Sequence, residues 1–233
     1  MIIYGVKPVE DFIRQNSSKV KFVYCSGRKF NSYDLNKSKI KKVTSIELDS
    51  LVGNSDHQGL AMKIDKPEIF DFENLKRSIN NLGKIILILD HIQDPHNLGA
   101  IIRTGVFFGV KSFVIPKKRS ASITSGAIKS SAGAIFHSNV YEVSNISNVL
   151  KLLKINNYWT LGTEIDGNDI NSKKLDGFKN LNLAIILGSE QKGVSKLLKK
   201  KCDSSISIYG NKKIDSLNVS VATGIILSKF ANL

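Results

Sequence analysis

From residue 84 onward the chain alternates short runs of Val, Ile and Leu with stretches of helical periodicity, and this alternation restricts the fold more than any other feature. The apolar runs are KIILILD (84–90), SFVIP (112–116), SNVYEV (138–143), YWTLGTE (158–164), LAIILG (183–188) and SISIYG (205–210). Helical patterns fall at 95–109, 122–132, 146–156, 193–200 and 217–231. A run that is apolar on consecutive residues has no solvent face and must be covered on both sides. Such strands, separated by helices, predict a parallel sheet with helices on both faces: a doubly wound α/β domain over 84–233.

Residues 1–68 predict a smaller α/β unit. Val6, Val9, Phe12 and Ile13 share one helical face, and KFVYC (21–25) and GLAMKI (59–64) read as strands. The segment 65–83 is polar, holds Pro67 and ends at Gly83, so 69–83 reads as a linker that finishes in a helix.

The formal charge of +14, from 34 basic and 20 acidic residues, attracts polyanions without dictating a fold. Between 18 and 42, Lys19, Lys21, Arg28, Lys29, Lys37, Lys39, Lys41 and Lys42 face a lone Asp34. Phe22, Tyr24, Phe30 and Tyr33 are interleaved with them. Cations grip phosphates and rings stack on bases, so this stretch suits RNA, although some of its rings belong to a core. No apolar run approaches the roughly 20 residues needed to cross a bilayer. The opening MIIYGVKPVEDF lacks a basic segment followed by a long apolar core, so a cytoplasmic protein with no membrane partner is expected. Cys25 and Cys202 are far apart with no CxxC spacing, which suggests neither a disulfide framework nor zinc.

In open α/β sheets, ligands bind beyond the carboxyl ends of the strands, and three segments in such positions are unusual. The first is DPHNLGAIIR (94–103). Asp94 and Pro95 form a helix start, and Leu98, Ile101, Ile102 and Val106 form a buried stripe. Asn97 and Arg103 fall off that stripe, and Gly99 permits a close approach to the backbone. His91 and His96, with Asp90 and Asp94, match no metal-ligand spacing. The second is GSEQKG (188–193), a turn whose main-chain N–H groups could hold polar or anionic groups, although it is neither GxGxxG nor a Walker A loop. The third is SLNVSVATG (216–224), small residues at the start of the last helix. Alone, the first reads equally well as a capped helix, the second reads better as an ordinary βα turn, and the third fits a close helix contact or a cap at Ser216.

Their order and combination resemble the three motifs of the SpoU (TrmH-like) RNA ribose 2′-O-methyltransferases. DHQGLAMKI (56–64) and KSSAGA (129–134) resemble further stretches of that family, and the resemblance covers essentially the whole chain. It is nearest to the bacterial branch that methylates a guanosine of 23S rRNA. The resemblance implies a deep trefoil knot at the C-terminus of the α/β domain, which general topology rules would not suggest. It also implies an N-terminal domain like ribosomal protein L30e that binds RNA, and a homodimer whose sites draw on both chains. S-adenosylmethionine would be the co-substrate, lined by Gly162, Thr163, Gly188, Ile208 and Leu217, with no metal. Arg103, Asn97, Glu190, Ser216 and Asn218 would form the catalytic edge. A tRNA substrate, such as the D-loop guanosine, is the alternative within the class. A non-catalytic RNA-binding protein is disfavoured because all five of those residues are present, and a nicotinamide oxidoreductase because the glycine fingerprint is missing. DNA is not an expected partner.

Overall fold

In the computed structural model, residues 1–27, 30, 35–189, 193–211 and 216–231 are described. The first sheet is assembled from β1 (Ile2–Tyr4), β2 (Val20–Cys25), β3 (Ile40–Lys42) and β4 (Leu60–Ile64), in the order β1-β4-β2-β3. Here β4 lies antiparallel to both β1 and β2, and β3 pairs parallel with β2. Helix α1 (Val6–Asn16) buries Val9, Phe12 and Ile13, as its periodicity predicts. Helix α2 (Ser45–Val52) begins with a capping box between Thr44 and Glu47 and ends at Gly53 in the left-handed conformation. His57 is buried between Asp49, 2.9 Å from its Nε2, and the Gly59 N–H, which donates to its Nδ1 at 2.9 Å. Within the DHQG stretch, then, His57 and Gly59 tie α2 to β4.

The second sheet has seven strands, all parallel, in the order β11-β9-β10-β6-β7-β8-β5. Its outer strand β5 (Ile69–Phe70) pairs with Val140 and Tyr141. The short helix α3 (Phe72–Arg77) follows, with Leu75 and Leu82 fully buried. In the segment 69–83, expected as a linker, Ile69 and Phe70 therefore join the larger sheet and α3 packs against β8. The apolar side chains at 69, 70, 75 and 82 are the physical reason, because a free linker would leave them in water.

The chain continues through β6 (Ile85–Asp90), α4 (Pro95–Phe107), β7 (Ser112–Pro116), α5 (Ser125–Ser130), β8 (Asn139–Val143), α6 (Ile146–Ile155) and β9 (Tyr158–Asp169). It closes with β10 (Asn182–Gly188), α7 (Lys196–Lys199), β11 (Ser204–Ser207) and α8 (Val219–Phe230). Alternate residues of the central strands feed two cores. Leu87 and Leu89 join Leu98, Ile101, Ile102, Ile226, Leu227 and Phe230 on the α4/α8 face. Ile86 and Ile88 join Val149, Leu150 and Leu153 of α6, together with Leu75, on the other. The result is the predicted three-layer arrangement with a parallel sheet in the middle.

Three elements depart from the periodicity. The helix expected over 122–132 stops at Ser130, and Gly133 turns the chain at φ +83° into a short 3₁₀ segment, Ala134–His137. The helix expected over 193–200 is reduced to Lys196–Lys199, because Gly193 at φ +61° closes a bridge to Ser189. Strand β9 runs to Asp169 instead of ending at 164. Its pairing with β11 jumps from Ser205↔Gly162 to Ile206↔Asn168, so residues 163–167 bulge out of the ladder.

Helix α4 carries two interior glycines, each weakening an isolated helix by about 1 kcal/mol relative to Ala. The structure shows what they permit. A Cβ on Gly105 would lie 2.6 Å from the Phe113 ring, and one on Gly99 would lie 2.2 Å from the Ala127 carbonyl oxygen and 2.0 Å from Ser130 Oγ. The close approach anticipated at Gly99 is therefore made by α5. We expect Gly99→Ala to force α4 and α5 apart and to lower stability by about 1–3 kcal/mol, the usual range for overpacking, as read from the urea midpoint.

Candidate functional site

Strands β6 and β10 are adjacent in the sheet but leave it in different directions: β6 leads by way of α4 to β7, whereas β10 was reached from β9 on its other side. Such a switch in strand order opens a crevice at the carboxyl ends of the two strands. A cleft of about 780 Å³ lies there, lined by Asp90, His91, Gln93 and Asn97 from the β6 side and by Ser189, Gly193, Ser195, Lys196 and Lys199 from the β10 side. Arg119 and Val219 complete its wall.

The start of α4 is fixed by Asp94, whose carboxyl accepts the His96 N–H at 2.9 Å, with Pro95 in the first turn. This places Asn97 in the cleft. Asn218 caps α8, its Oδ1 accepting from the Ser220 N–H at 2.8 Å and from Ser220 Oγ at 2.6 Å. Its Nδ2 donates to Asn97 Oδ1 at 3.0 Å. The first and third motifs, 121 residues apart in sequence, thus meet through one hydrogen bond at the edge of the cleft. Ser216 and Leu217 are exposed just before Asn218. Glu190 lies outside the described residues.

The structure does not bring Arg103 to this cleft. It stands six residues beyond Asn97 on α4, which turns it about 240° around the helix axis. It lines a smaller groove of about 240 Å³ with Lys7, Asp11, Phe12, Lys129 and Gly133, between the first sheet's helix α1 and α5. Phe12 packs edge-on against Phe136 at that junction, ring centroids 5.4 Å apart, and Lys129 Nζ sits 5.0 Å from the Tyr4 ring. Gly133 of the KSSAGA stretch serves the same contact, since a Cβ there would lie 2.5 Å from Asn16 Nδ2.

Of the five residues expected around a co-substrate, Gly162 is buried inside β9, where a side chain would meet Cys202 Sγ at 3.1 Å. Gly188 ends β10, where a Cβ would lie 2.0 Å from the Gly193 carbonyl carbon. Both glycines make room first for the protein's own chain. Thr163 opens the bulge in β9, which Ser207 and Tyr209 pin down by donating to the carbonyls of Ile165 (2.7 Å) and Gly167 (3.1 Å). Ile208 is half-buried against the core, and Leu217 is 46% exposed. Asp203 braces the approach to β11: it accepts from the Thr160 N–H and Oγ1 at 2.8 and 2.7 Å and from Lys154 at 2.7 Å. Burial opposes ionisation of its carboxyl, but these donors outweigh burial and hold its pKa below the usual carboxylate value.

Sequence reasoning considers Asp90 and His91 only as metal ligands and passes over Ser195, yet the three form the floor of the cleft. Asp90 is 1% exposed; its Oδ2 accepts the Ser195 N–H at 2.8 Å, and its Oδ1 lies 2.6 Å from His91 Nδ1. His91 adopts φ +63°, which is uncommon for a residue with a side chain and recurs at functional sites. An acidic residue ending an apolar strand is the signal that could have drawn attention to this group. Among the described residues no set of three or more His, Cys, Asp or Glu is placed to hold a metal ion, and no helix is long and apolar enough to cross a membrane.

A cleft at a switch in a parallel sheet, with Asn97 and Val219 of the first and third motifs in its wall, lies where α/β folds bind their ligands. Comparison with known proteins supplies the family. The model of the SpoU rRNA methylase family matches residues 84–228, and that of the RNA 2′-O ribose methyltransferase substrate-binding domain matches residues 2–70. A Borreliella burgdorferi protein described as an uncharacterized tRNA/rRNA methyltransferase is 41% identical over 197 residues, 81% of this chain and 85% of the relative. A putative TrmH family tRNA/rRNA methyltransferase of Staphylococcus saprophyticus is 39% identical over 194 residues, 82% of this chain and 76% of the relative. The AdoMet-bound rRNA methyltransferase of Sinorhizobium meliloti shares the fold with a TM-score of 0.74 at 19% identity, over 98% of this chain and 85% of that one. The chain belongs to the SpoU methylase family and is an RNA methyltransferase of that family.

The Asn218 cap permits a stability test. Asn218→Ala should lower stability by about 0.5–2 kcal/mol, whereas Asn218→Ser, which keeps a capping oxygen but is too short to reach Asn97, should melt close to wild type. Thermal denaturation of the two variants side by side checks this.

Proposed function

We propose that this protein transfers a methyl group from S-adenosylmethionine to the ribose 2′-hydroxyl of a guanosine in 23S rRNA, with the peptidyl-transferase P loop as its target. The observation that best supports a nucleotide site is the Asn97–Asn218 hydrogen bond at the edge of the β6/β10 cleft. The ordered match of a substrate-binding model and a methylase model along one chain supports an RNA substrate.

S-adenosylmethionine would be held beside the bulge of β9 and the ends of β10 and β11. Main-chain groups at Thr163 and Gly188 would meet the polar edge of adenine, Gly162 would leave it room, and the apolar side chains of Ile208 and Leu217 would meet its faces. When bound, this co-substrate supplies a methyl group on a positively charged sulfur. A ribose hydroxyl is a poor nucleophile, so the protein must position it and help remove its proton. Asn97, Ser216 and Asn218 would orient the ribose; Glu190, which the resemblance adds to this group, lies outside the described residues. Arg103 cannot serve as a base, because a guanidinium stays protonated. It would clamp the target nucleotide's phosphate, which would help accept the 2′-hydroxyl proton or relay it to water.

Placing Arg103 at that centre calls for a second copy of the chain. Arg103 shares a face of α4 with Phe107, one turn further on and 74% exposed. Val221 and Ile225, also exposed, lie one turn apart on α8, which packs against α4 where Gly224 meets Thr104. An apolar patch beside a charged catalytic candidate suits a homodimer in which each site draws on both chains. A deep trefoil knot at the C-terminus of the α/β domain and an L30e-like N-terminal domain would complete the reading.

Mapping ribose 2′-O-methyl groups in rRNA and tRNA from cells with and without the gene tests the proposal. Loss of one 2′-O-methylguanosine in 23S rRNA is expected. Loss of one in tRNA instead would favour the second reading, which the tRNA/rRNA descriptions of the relatives support, and unchanged patterns in both RNAs would overturn the function. In the purified enzyme, Arg103→Lys should lower methyl transfer about tenfold or more, equivalent to about 1.4 kcal/mol, while S-adenosylmethionine binding persists. Near-normal transfer would remove the case for a two-pronged clamp.

A further inference from the structure

The basic and aromatic stretch at 18–42 divides in the structure. Phe30 is buried at 9% exposure and belongs to the core, whereas Phe22 and Tyr24 stay half-exposed on one face of β2. Lys21 takes the extra position at a register shift and pairs with Asp65 at 2.7 Å, which leaves the two rings side by side on the regular part of the strand. Their centroids are 6.4 Å apart at an interplanar angle of 56°. Across the ladders, Phe22 stands opposite Lys63 on β4, and Tyr24 opposite Lys41 on β3. Both lysines are exposed, and Lys41 Nζ lies 3.9 Å from the centre of the Phe22 ring. Neither lysine is among the ion pairs of the described residues.

Two adjacent rings on a four-stranded sheet, bracketed by unneutralised cations, form a stacking platform. Buried rings would serve the core alone, and lysines without rings would hold any polyanion. Together they match a chain with bases free to stack and phosphates spaced along it. A duplex hides its base faces, so it could use only the lysines.

We propose that this face of the first sheet binds unpaired bases of the substrate RNA, with Phe22 and Tyr24 each stacking on one base and Lys41 and Lys63 contacting the flanking phosphates. The inference rests on the RNA substrate argued above and specifies how that RNA is held away from the reacting centre. The Lys41 ammonium covers the Phe22 ring in the free protein; on its flexible stem it can yield to a base and turn to a phosphate.

The test uses the full-length protein with a single-stranded RNA and the same RNA annealed to its complement, followed by fluorescence anisotropy. Phe22→Leu/Tyr24→Leu keeps apolar bulk but removes the rings. It should weaken binding of the single strand about tenfold or more, leave duplex binding unchanged, and preserve both the melting temperature and S-adenosylmethionine binding. Lys41→Gln/Lys63→Gln carries little risk to folding. It should flatten the slope of log affinity against log salt by about 1.4, at about 0.7 per lost contact with a single strand. Unchanged single-strand affinity in the leucine variant, or an unchanged salt slope in the glutamine variant, would overturn the platform even with methyl transfer intact. Equal losses for single strand and duplex would overturn it too. The platform stands and the proposed reaction fails if the ring variant loses single-strand affinity while the wild type methylates neither rRNA nor tRNA.

Discussion

The architecture depends on the parallel pairing of β6 with β10. Six residue pairs in unbroken register, from Leu183↔Ile85 to Gly188↔Asp90, join strands nearly a hundred residues apart in the chain. That pairing seats the last residue of one strand beside the last residue of the other, so the turns that follow them face each other across a single crevice. Asp90 secures the arrangement from below. A carboxyl that is 1% exposed needs donors for its oxygens, and it finds one in the Ser195 N–H on the far side of the crevice. The turn after β10 is thereby tethered to the end of β6, and the cleft has a rigid floor.

Much of this was legible because burial leaves a simple trace. KIILILD has no polar face, and the strand it forms has none exposed: all six residues of β6 are buried. Asp94 and Pro95 announce the start of α4 through the chemistry of helix ends, and the structure bears this out. What could not be read is what is set by contacts distant in sequence. The bulge in β9 exists because Ser207 and Tyr209 hold the carbonyls of Ile165 and Gly167, a fact absent from residues 158–169 themselves. Residues 69–83 look like a linker because the polar stretch 65–83 holds Pro67 and ends at Gly83, and only the neighbouring β8 and its Tyr141 give Ile69 and Phe70 a place to go.

The motif residues divide by physical role in a way that recognition of a pattern does not reveal. Gly99, Gly133 and Gly59 stand where a side chain would strike another part of the chain: the Ala127 carbonyl, the Asn16 amide and the Ser26 carbonyl, respectively. They are requirements of packing. Asn97 and Asn218 are polar groups at the cleft edge, joined to each other by a side-chain hydrogen bond. A motif such as NLGAIIR therefore interleaves residues that build the scaffold with a residue that lines the cleft, and spacing alone does not separate them.

The positive charge acquires a distribution once the fold is known. On the first sheet, Lys41 and Lys63 border the exposed rings of Phe22 and Tyr24. At the cleft, Arg119, Lys196 and Lys199 stand over a floor that holds Asp90, and Lys199 is shared with Glu164 at 3.6 Å. The cations around the rings are the less neutralised set, and they lie on a surface without enclosing walls, as suits the capture of a long polyanion. The cleft has walls, mixed charge and side-chain amides at its edge. An open charged face and a walled cleft make opposite demands on the local dielectric and on shape. Separate sheets, joined where Phe12 meets Phe136, let one chain satisfy both.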